Sequence, residues 1–201
     1  MKIHFASSNS GKLREYRELA EGSQLEIELL PGIRELPPFE ESAPTFAENA
    51  LGKALHYSRY TNEIVLGDDS GLVVPALGGA PGVRSARYAG PSATDGANVQ
   101  KLLREMKDKK GGDRRARFVC AIAIAFAGRA LVIASDFADG IIADEPRGAS
   151  GFGYDPIFIF PDIGRTFSEI PPEEKNRLSH RGKAFRKVIE YLTPTNSSIP
   201  R

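Results

Sequence analysis

The sequence predicts a mixed α/β fold, a sheet with antiparallel pairs flanked by helices. Three observations carry this expectation. The chain opens as strand, polar turn, helix and strand in succession, the start of an α/β layout. Residues 118–126 are apolar at every position. A strand with two apolar faces needs cover on both sides, so it belongs in the middle of a sheet. Gly128-Arg129 then joins it to residues 130–137 so tightly that the two segments pair antiparallel.

Taken in order, residues 2–6 form the first strand, and Ser7-Ser8-Asn9-Ser10-Gly11 is the polar turn after it. Helical spacing runs over 12–21, with Leu13, Tyr16 (or Arg17) and Ala20 on one side. In 25–30, Leu25, Ile27 and Leu29 alternate with Glu26 and Glu28, which predicts a second strand. Residues 32–44 are irregular, with three prolines and the acidic pair Glu40-Glu41. A helix follows over 45–59, with Phe46, Ala50, Ala54 and Leu55 on one side. Residues 64–66 are a short buried strand that enters Gly67-Asp68-Asp69-Ser70-Gly71, and 72–74 continue extended. Glycine and proline breakers make 75–98 a structured loop, long enough to imply function rather than connection. A helix over 97–106 and a basic, solvated turn over 107–117 precede the central strand. Residues 157–160 are a short strand, and 173–192 a final helix interrupted near Gly182. Residues 193–201 are a polar, fraying tail. Neither repeat nor linker divides the chain, so 1–201 reads as one domain.

Composition narrows the function. A chain of 201 residues buries a full core without disulfides or structural metals. Lys and Arg number 27 against 26 Asp and Glu, a net charge of +1 without the excess of a nucleic-acid binder. A stable nucleic-acid complex is therefore not expected. The one cysteine, Cys120, excludes an internal disulfide and a multi-thiolate zinc site, and reads as a small buried hydrophobe. The apolar N-terminal segment stops at Ser7, too short for a signal peptide, and no run approaches a membrane span. The expected location is cytoplasmic, with no membrane partner. None of the three histidines lies near a Gly-x-Ser-x-Gly elbow, so a serine hydrolase has no support.

Five motifs carry chemistry. The turn Ser7–Lys12, written SSNSGK, lies between strand and helix. It aims backbone N–H groups, small hydroxyls and a lysine at one point, where the helix N-terminus favours a phosphate. It lacks the longer glycine-framed spacing of a Walker A loop, and a plain capped turn is the alternative. Asp68-Asp69-Ser70-Gly71 puts two adjacent carboxylates at the end of an apolar strand, which costs energy unless something neutralises them. Mg²⁺ is the obvious partner, since it takes one or two carboxylates plus phosphates and waters. Neighbours on a strand face opposite sides, so one carboxylate lines the site and the other makes structural hydrogen bonds. A solvated turn is the alternative here. Glu40-Glu41 offers a second metal ligand from either residue, or acidic decoration of the helix that follows. On that helix Glu48 and Lys53 are surface charges, unless Lys53 reaches a phosphate. In Gly151-Phe152-Gly153-Tyr154-Asp155-Pro156 the glycines hold an aromatic out as a stacking platform for a base, or a turn tucks Phe152 into the core. In residues 174–183, Ser-His-Arg-Gly breaks the helix and splays donors outward.

Together these stretches resemble the inosine triphosphate pyrophosphatase family. The matching segments are SSNSGK at 7–12, EESAPTFAENALGKA at 40–54, DDSGL with GGAPGVRSARYAG at 68–90, GFGYDPIF at 151–158 and EEKNRLSHRGKA at 173–184. Each is weak alone, but the five occur in family order over nearly the whole chain. Ser8 departs from the pattern, where many relatives carry glycine. The resemblance implies an elongated, inosine triphosphate pyrophosphatase-like fold with two lobes around a central cleft, and a homodimer. It implies Mg²⁺-dependent hydrolysis of ITP, dITP and XTP to the monophosphate and pyrophosphate, clearing deaminated purines from the nucleotide pool.

The resemblance also assigns roles. Asp69 matches the proton acceptor, acting through water, and with Glu41 would hold the metal. Ser7, Ser8, Asn9, Ser10, Gly11, Lys12 and Lys53 would meet the triphosphate, and Ser70 matches a substrate contact. Phe152 would stack on the base, with Gly153 and Tyr154 among the contacts, and Asp155 would hold the pocket or read a ring N–H. Lys175, His180 and Arg181 would donate to O6 of hypoxanthine or xanthine. Adenine would leave those donors unpaired, and guanine would be rejected through its 2-amino group. Two other readings compete. A Maf-like pyrophosphatase for modified pyrimidine nucleotides lacks the Ser-His-Arg and Gly-Phe-Gly-Tyr-Asp-Pro segments. A non-catalytic nucleotide binder gives Glu41 and Asp69 no purpose, since they would repel its ligand.

Overall fold

The structure is a computed structural model and describes residues 1–193. The expected tail lies outside these from residue 194 onward. Seven strands form one sheet: β1 (Lys2–Phe5), β2 (Glu26–Leu29), β3 (Ile64–Val73), β4 (Arg115–Phe126), β5 (Arg129–Ile142), β6 (Phe158–Phe160) and β7 (Arg165–Thr166). Their order is β2-β1-β3-β4-β5-β6-β7. β1 runs parallel to β2 and β3, while β6 is antiparallel to β5 and β7, so the sheet is mixed, as predicted. β4, the strand with two apolar faces, is the central one. The helices are α1 (Ser10–Ala20), α2 (Phe46–Tyr57), α3 (Asp95–Glu105), α4 (Pro172–Leu178) and α5 (His180–Leu192).

Local chemistry sets the boundaries. α1 starts before Lys12 because the Asn9 side chain accepts the Lys12 N–H at 2.9 Å, and a cap rather than an apolar period begins a helix. Thr45 and Thr94 cap α2 and α3 in the same way, at 3.2 Å each. Ala127 and Gly128 have φ of 48° and 75°, the left-handed pair of a type I′ turn between β4 and β5. The last helix breaks within Ser-His-Arg-Gly, as expected, at its first residue, Ser179, which is extended. The loop at 75–98 holds two short 3₁₀ turns, Pro75–Leu77 and Gly82–Arg87. Asn98 pins it, accepting from Ala89 N and donating to Ala86 O. The basic segment is a largely exposed turn through Asp113, as expected, but its end is not solvated turn. Arg114 donates to Ile142 O, Ala143 O and Met106 O at 2.8, 2.7 and 3.0 Å, and Arg115 already begins β4.

The chain forms two compact units, one of Met1–Asp69, Ala121–Ser135 and Gly182–Arg201, the other of Ser70–Cys120 and Asp136–Arg181. In the first, Ala50 and Ala54 of α2 pack on Ala121, Ala123 and Ala125 of β4. These small side chains bring the helix close to the sheet. Gly67 on β3 is required by the same approach: a Cβ there would lie 2.4 Å from Ala50 O and 2.8 Å from Ala54 N. The second unit has its own core, with Leu72, Leu102, Met106, Phe118, Phe158 and Phe167 among its members. Among the described residues no helix is long and apolar enough to cross a membrane.

Candidate active site

β3 runs unbroken through Gly67-Asp68-Asp69-Ser70-Gly71, where a solvated turn was the alternative. The strand's two-residue period therefore sends the two carboxylates to opposite sides. Asp68 is fully buried and accepts from the Tyr16 hydroxyl at 2.7 Å and from Lys12, with which it forms an ion pair. It is the structural carboxylate. Asp69, also buried, accepts from Asn49 Nδ2 at 3.0 Å. Burial pushes its carboxyl up to about 6. Glu41 and Asp68 add to the rise through their charge, while Lys12 and the Asn49 hydrogen bond oppose it. A carboxyl at that value exchanges protons near neutral pH and is suited to act as a base.

The helix α2 supplies the partners. Its buried face carries Asn49, Ala50, Lys53, Ala54 and Tyr57. Lys53 is therefore not a surface charge. It donates to Asp68 O at 2.8 Å and pairs with Glu41. Of the two candidates at 40–41, Glu41 faces the lysine and Glu40 is exposed. Glu48 is exposed and closes the cap with Thr45 at 2.6 Å. Ser7 is half-buried and accepts the Asn9 N–H at 3.2 Å, while Ser8, Asn9 and Ser10 are exposed. Ser10 and Gly11 open α1, where first-turn N–H groups have no acceptor within the helix. A hollow of about 390 Å³ lies beside this turn, with Ser7, Ser8, Arg34, Glu41 and Lys53 on its walls. Among the described residues no three His, Cys, Asp or Glu side chains cluster as a metal site.

The second unit gathers the aromatic turn and the donors. Gly151 and Gly153 have φ of 82° and 61°, and a Cβ on Gly151 would lie 2.2 Å from Asp155 Oδ2. That oxygen accepts from Phe152 N at 2.9 Å and from Lys175 Nζ at 2.5 Å. Phe152 is half-buried, with Lys175 Nζ 5.3 Å and Arg181 Cζ 5.7 Å from its ring centre. Arg181 donates to Ser70 Oγ at 2.7 Å, and the His180 ring stacks on Phe118 at 4.7 Å. The Tyr154 hydroxyl donates to Ser85 O at 2.9 Å, and burial raises its pKa beyond the ordinary range. Gly153 N donates to Asp95 at 2.7 Å, which ties the turn to the start of α3.

Sequence reasoning passed over Asn49, Ser85 and Asp95, and placed Tyr16 only on a packing face. Asn49 had a signal: it lies one turn before Lys53 and beside Ala50 on the apolar side of α2. Ser85 acts through its own carbonyl and Asp95 through the distant Gly153 N–H, which no local pattern announces.

The geometry defines an α/β protein with a buried carboxylate, Asp69, whose carboxyl is raised by burial, and an aromatic turn backed by cationic donors. The Ham1 family profile matches residues 3–191. The chain belongs to the Ham1 family. It is 48% identical over 189 residues to the dITP/XTP pyrophosphatase of Geobacillus kaustophilus, covering 94% of this chain and 93% of that one. A HAM1 protein structure from Coxiella burnetii matches with a TM-score of 0.85 and 42% identity, over 97% of this chain and all of the other. The Staphylococcus aureus Ham1 protein matches at 0.82 and 36% identity, over 96% and 98%.

Proposed function

We propose that the protein hydrolyses nucleoside triphosphates of deaminated purines (ITP, dITP and XTP) to the monophosphate and pyrophosphate. The observation that carries this reading is the buried Asp69 carboxyl, raised to about 6, with Glu41 adding to the rise. The name dITP/XTP pyrophosphatase of a relative 48% identical supports the substrate class.

The first unit's side chains would handle the triphosphate. Ser7, Ser8, Asn9, Ser10, Gly11 and Lys12 would offer N–H groups, hydroxyls and charge at the start of α1. Two lysines, Lys12 and Lys53, stand with three carboxylates, Glu41, Asp68 and Asp69. A polyphosphate entering such a set needs a divalent cation with it. The donor set fits Mg²⁺, which takes one or two carboxylates and fills its remaining positions with phosphate and water. Glu41 and Asp69 would hold it. When bound, Mg²⁺ supplies charge neutralisation at the phosphates and lowers the pKa of bound water. Asp69 would take the proton of the attacking water, Asn49 would hold its carboxylate in place, and Lys53 would hold Glu41. No covalent intermediate with the protein is needed.

The second unit's side chains would read the base. Phe152 would stack on it, Asp155 would hold the turn, and Lys175, His180 and Arg181 would donate to an acceptor at C6. Ser70, which accepts from Arg181, would contact the substrate. The profile match across residues 3–191 supports one functional domain over both units. We assign the protein to the cytoplasm as a homodimer, and exposed Leu131 and Ile133 on β5 support a second copy as partner.

Product analysis tests the reading. The protein is incubated with Mg²⁺ and, separately, ITP, XTP, GTP, ATP and dTTP, and both pyrophosphate and orthophosphate are assayed. Pyrophosphate from ITP and XTP with little from ATP or GTP is the expected result. A pyrimidine preference would move the chain to the Maf-like reading, and binding without turnover would make it a nucleotide-binding module.

A further inference from the structure

We propose that Asn49 is a positioning residue for this reaction, a single amide that fixes Glu41 and Asp69 at the spacing a shared cation needs. The inference rests on the reading of those two carboxylates given above.

The two come from unrelated parts of the chain. Asp69 is on β3, whereas Glu41 lies in the irregular segment 31–44, which no strand or helix holds. α2 holds that segment on both sides of Glu41. Upstream, the Tyr57 hydroxyl accepts from Phe39 N at 3.3 Å, and His56 Nε2 lies 2.8 Å from Pro37 O. The Phe39 ring rests where a side chain on Gly52 would be, since a Cβ there would lie 2.5 Å from Phe39 Cζ. Downstream, two residues past Glu41, Asn49 takes both polar groups of Ala43. Its Oδ1 accepts from Ala43 N at 3.0 Å and its Nδ2 donates to Ala43 O at 3.2 Å.

That grip leaves the amide one orientation. A backbone N–H can only donate and a carbonyl can only accept, so the oxygen must face the first and the nitrogen the second. The second N–H of Nδ2 is then aimed at Asp69 Oδ2, 3.0 Å away. Asn49 has no solvent exposure, so water cannot replace any of the three bonds. One turn further along α2, Lys53 pairs with Glu41 and donates to Asp68 O. Two residues four apart on one helix face thus set the carboxylates from both segments. Asn49 touches neither substrate nor metal in this account, and acts through Asp69 and the Ala43 backbone.

Removing such a support costs a metal site about tenfold or more in affinity. The test titrates Mn²⁺ into metal-free protein, following free Mn²⁺ by electron paramagnetic resonance, for wild type, Asn49→Ala, Asn49→Leu and Glu41→Gln. Asn49→Leu keeps the buried volume. Expected are Mn²⁺ dissociation constants about tenfold weaker in both Asn49 variants, approaching Glu41→Gln. With ITP, kcat should fall and the metal concentration for half-activation should rise, while KM for ITP at saturating metal stays within about twofold. Folded variants that bind Mn²⁺ as wild type does would overturn the proposal. So would loss of the native circular dichroism in both, since Asn49 would then be structural. Wild type that takes up no Mn²⁺ would overturn it together with the metal assignment. If wild type binds Mn²⁺ but releases no pyrophosphate from any triphosphate, the proposed function falls, and weakened binding in the variants still upholds Asn49.

Discussion

Asp69→Asn should stabilise the protein while abolishing hydrolysis. The carboxyl moves from 3.8 to about 6 on folding, so the fold holds on to a proton that the unfolded chain releases. The sign follows from proton binding. Below about pH 4 both states are protonated and Asp69 costs nothing. Between about pH 4 and 6 the native state binds more protons, and stability falls as pH rises. Above the folded value the full penalty applies. A shift of about two units at 1.4 kcal/mol each gives about 3 kcal/mol. For a chain of this size that is roughly 6–12 °C in Tm. Asparagine has nearly the same shape, carries no charge to bury and still offers an oxygen to Asn49.

The assay is Tm against pH from 4 to 8 in EDTA, for wild type and Asp69→Asn side by side. The two curves should coincide near pH 4, separate through pH 6 and run parallel above pH 7 with the variant higher. Added Mg²⁺ should raise the wild type more than the variant and narrow the gap, because only the charged carboxylate binds it well. A variant no more stable than wild type at pH 7.5, or a gap that does not change with pH, would refute the burial argument.

Lys175→Met would leave the Asp155 carboxylate buried without its cation and should cost about 3–5 kcal/mol. Calorimetry checks the loss, and the ITP to ATP ratio of kcat/KM should fall in the same variant. Gly67→Ala should cost about 1–3 kcal/mol by overpacking, because the two nearest atoms are backbone and cannot turn aside. Its kcat should drop as well, since Asp68 and Asp69 follow directly on β3. Arg114→Ala strips donors from three carbonyls in two segments and should lower stability by about 3 kcal/mol in urea melts, with kcat on ITP intact.

Much of the fold was legible because long periodic elements announce themselves. The double apolar face of β4 predicted its central place, and Gly128 predicted the hairpin. Features set by one or two contacts were not legible. β7 pairs through only two residues, Thr166 with Ile159 and Arg165 with Phe160, too few for any period. The start of α1 was misplaced because Asn9, not the apolar spacing, begins it. In the site, alternation on a strand predicted that Asp68 and Asp69 would face opposite sides, one of them making structural hydrogen bonds, and Asp68 does. The choice between Glu40 and Glu41 needed Lys53, whose burial on α2 the sequence left open.

The division of labour between the adjacent aspartates depends on Gly67. Without a Cβ at 67, β3 approaches α2 until backbone meets backbone, and Asp69 then falls opposite Asn49 while Asp68 O meets Lys53. The opposite face of the strand turns Asp68 toward Lys12 and Tyr16 of α1, where it is fully satisfied. A carboxylate held in this way by a lysine and a tyrosine is committed to the fold. One that is buried with a single donor and a second carboxylate nearby becomes basic enough to take a proton and electronegative enough to attract a cation. Two adjacent aspartates therefore sit in different surroundings, and the difference arises from which helix each one faces.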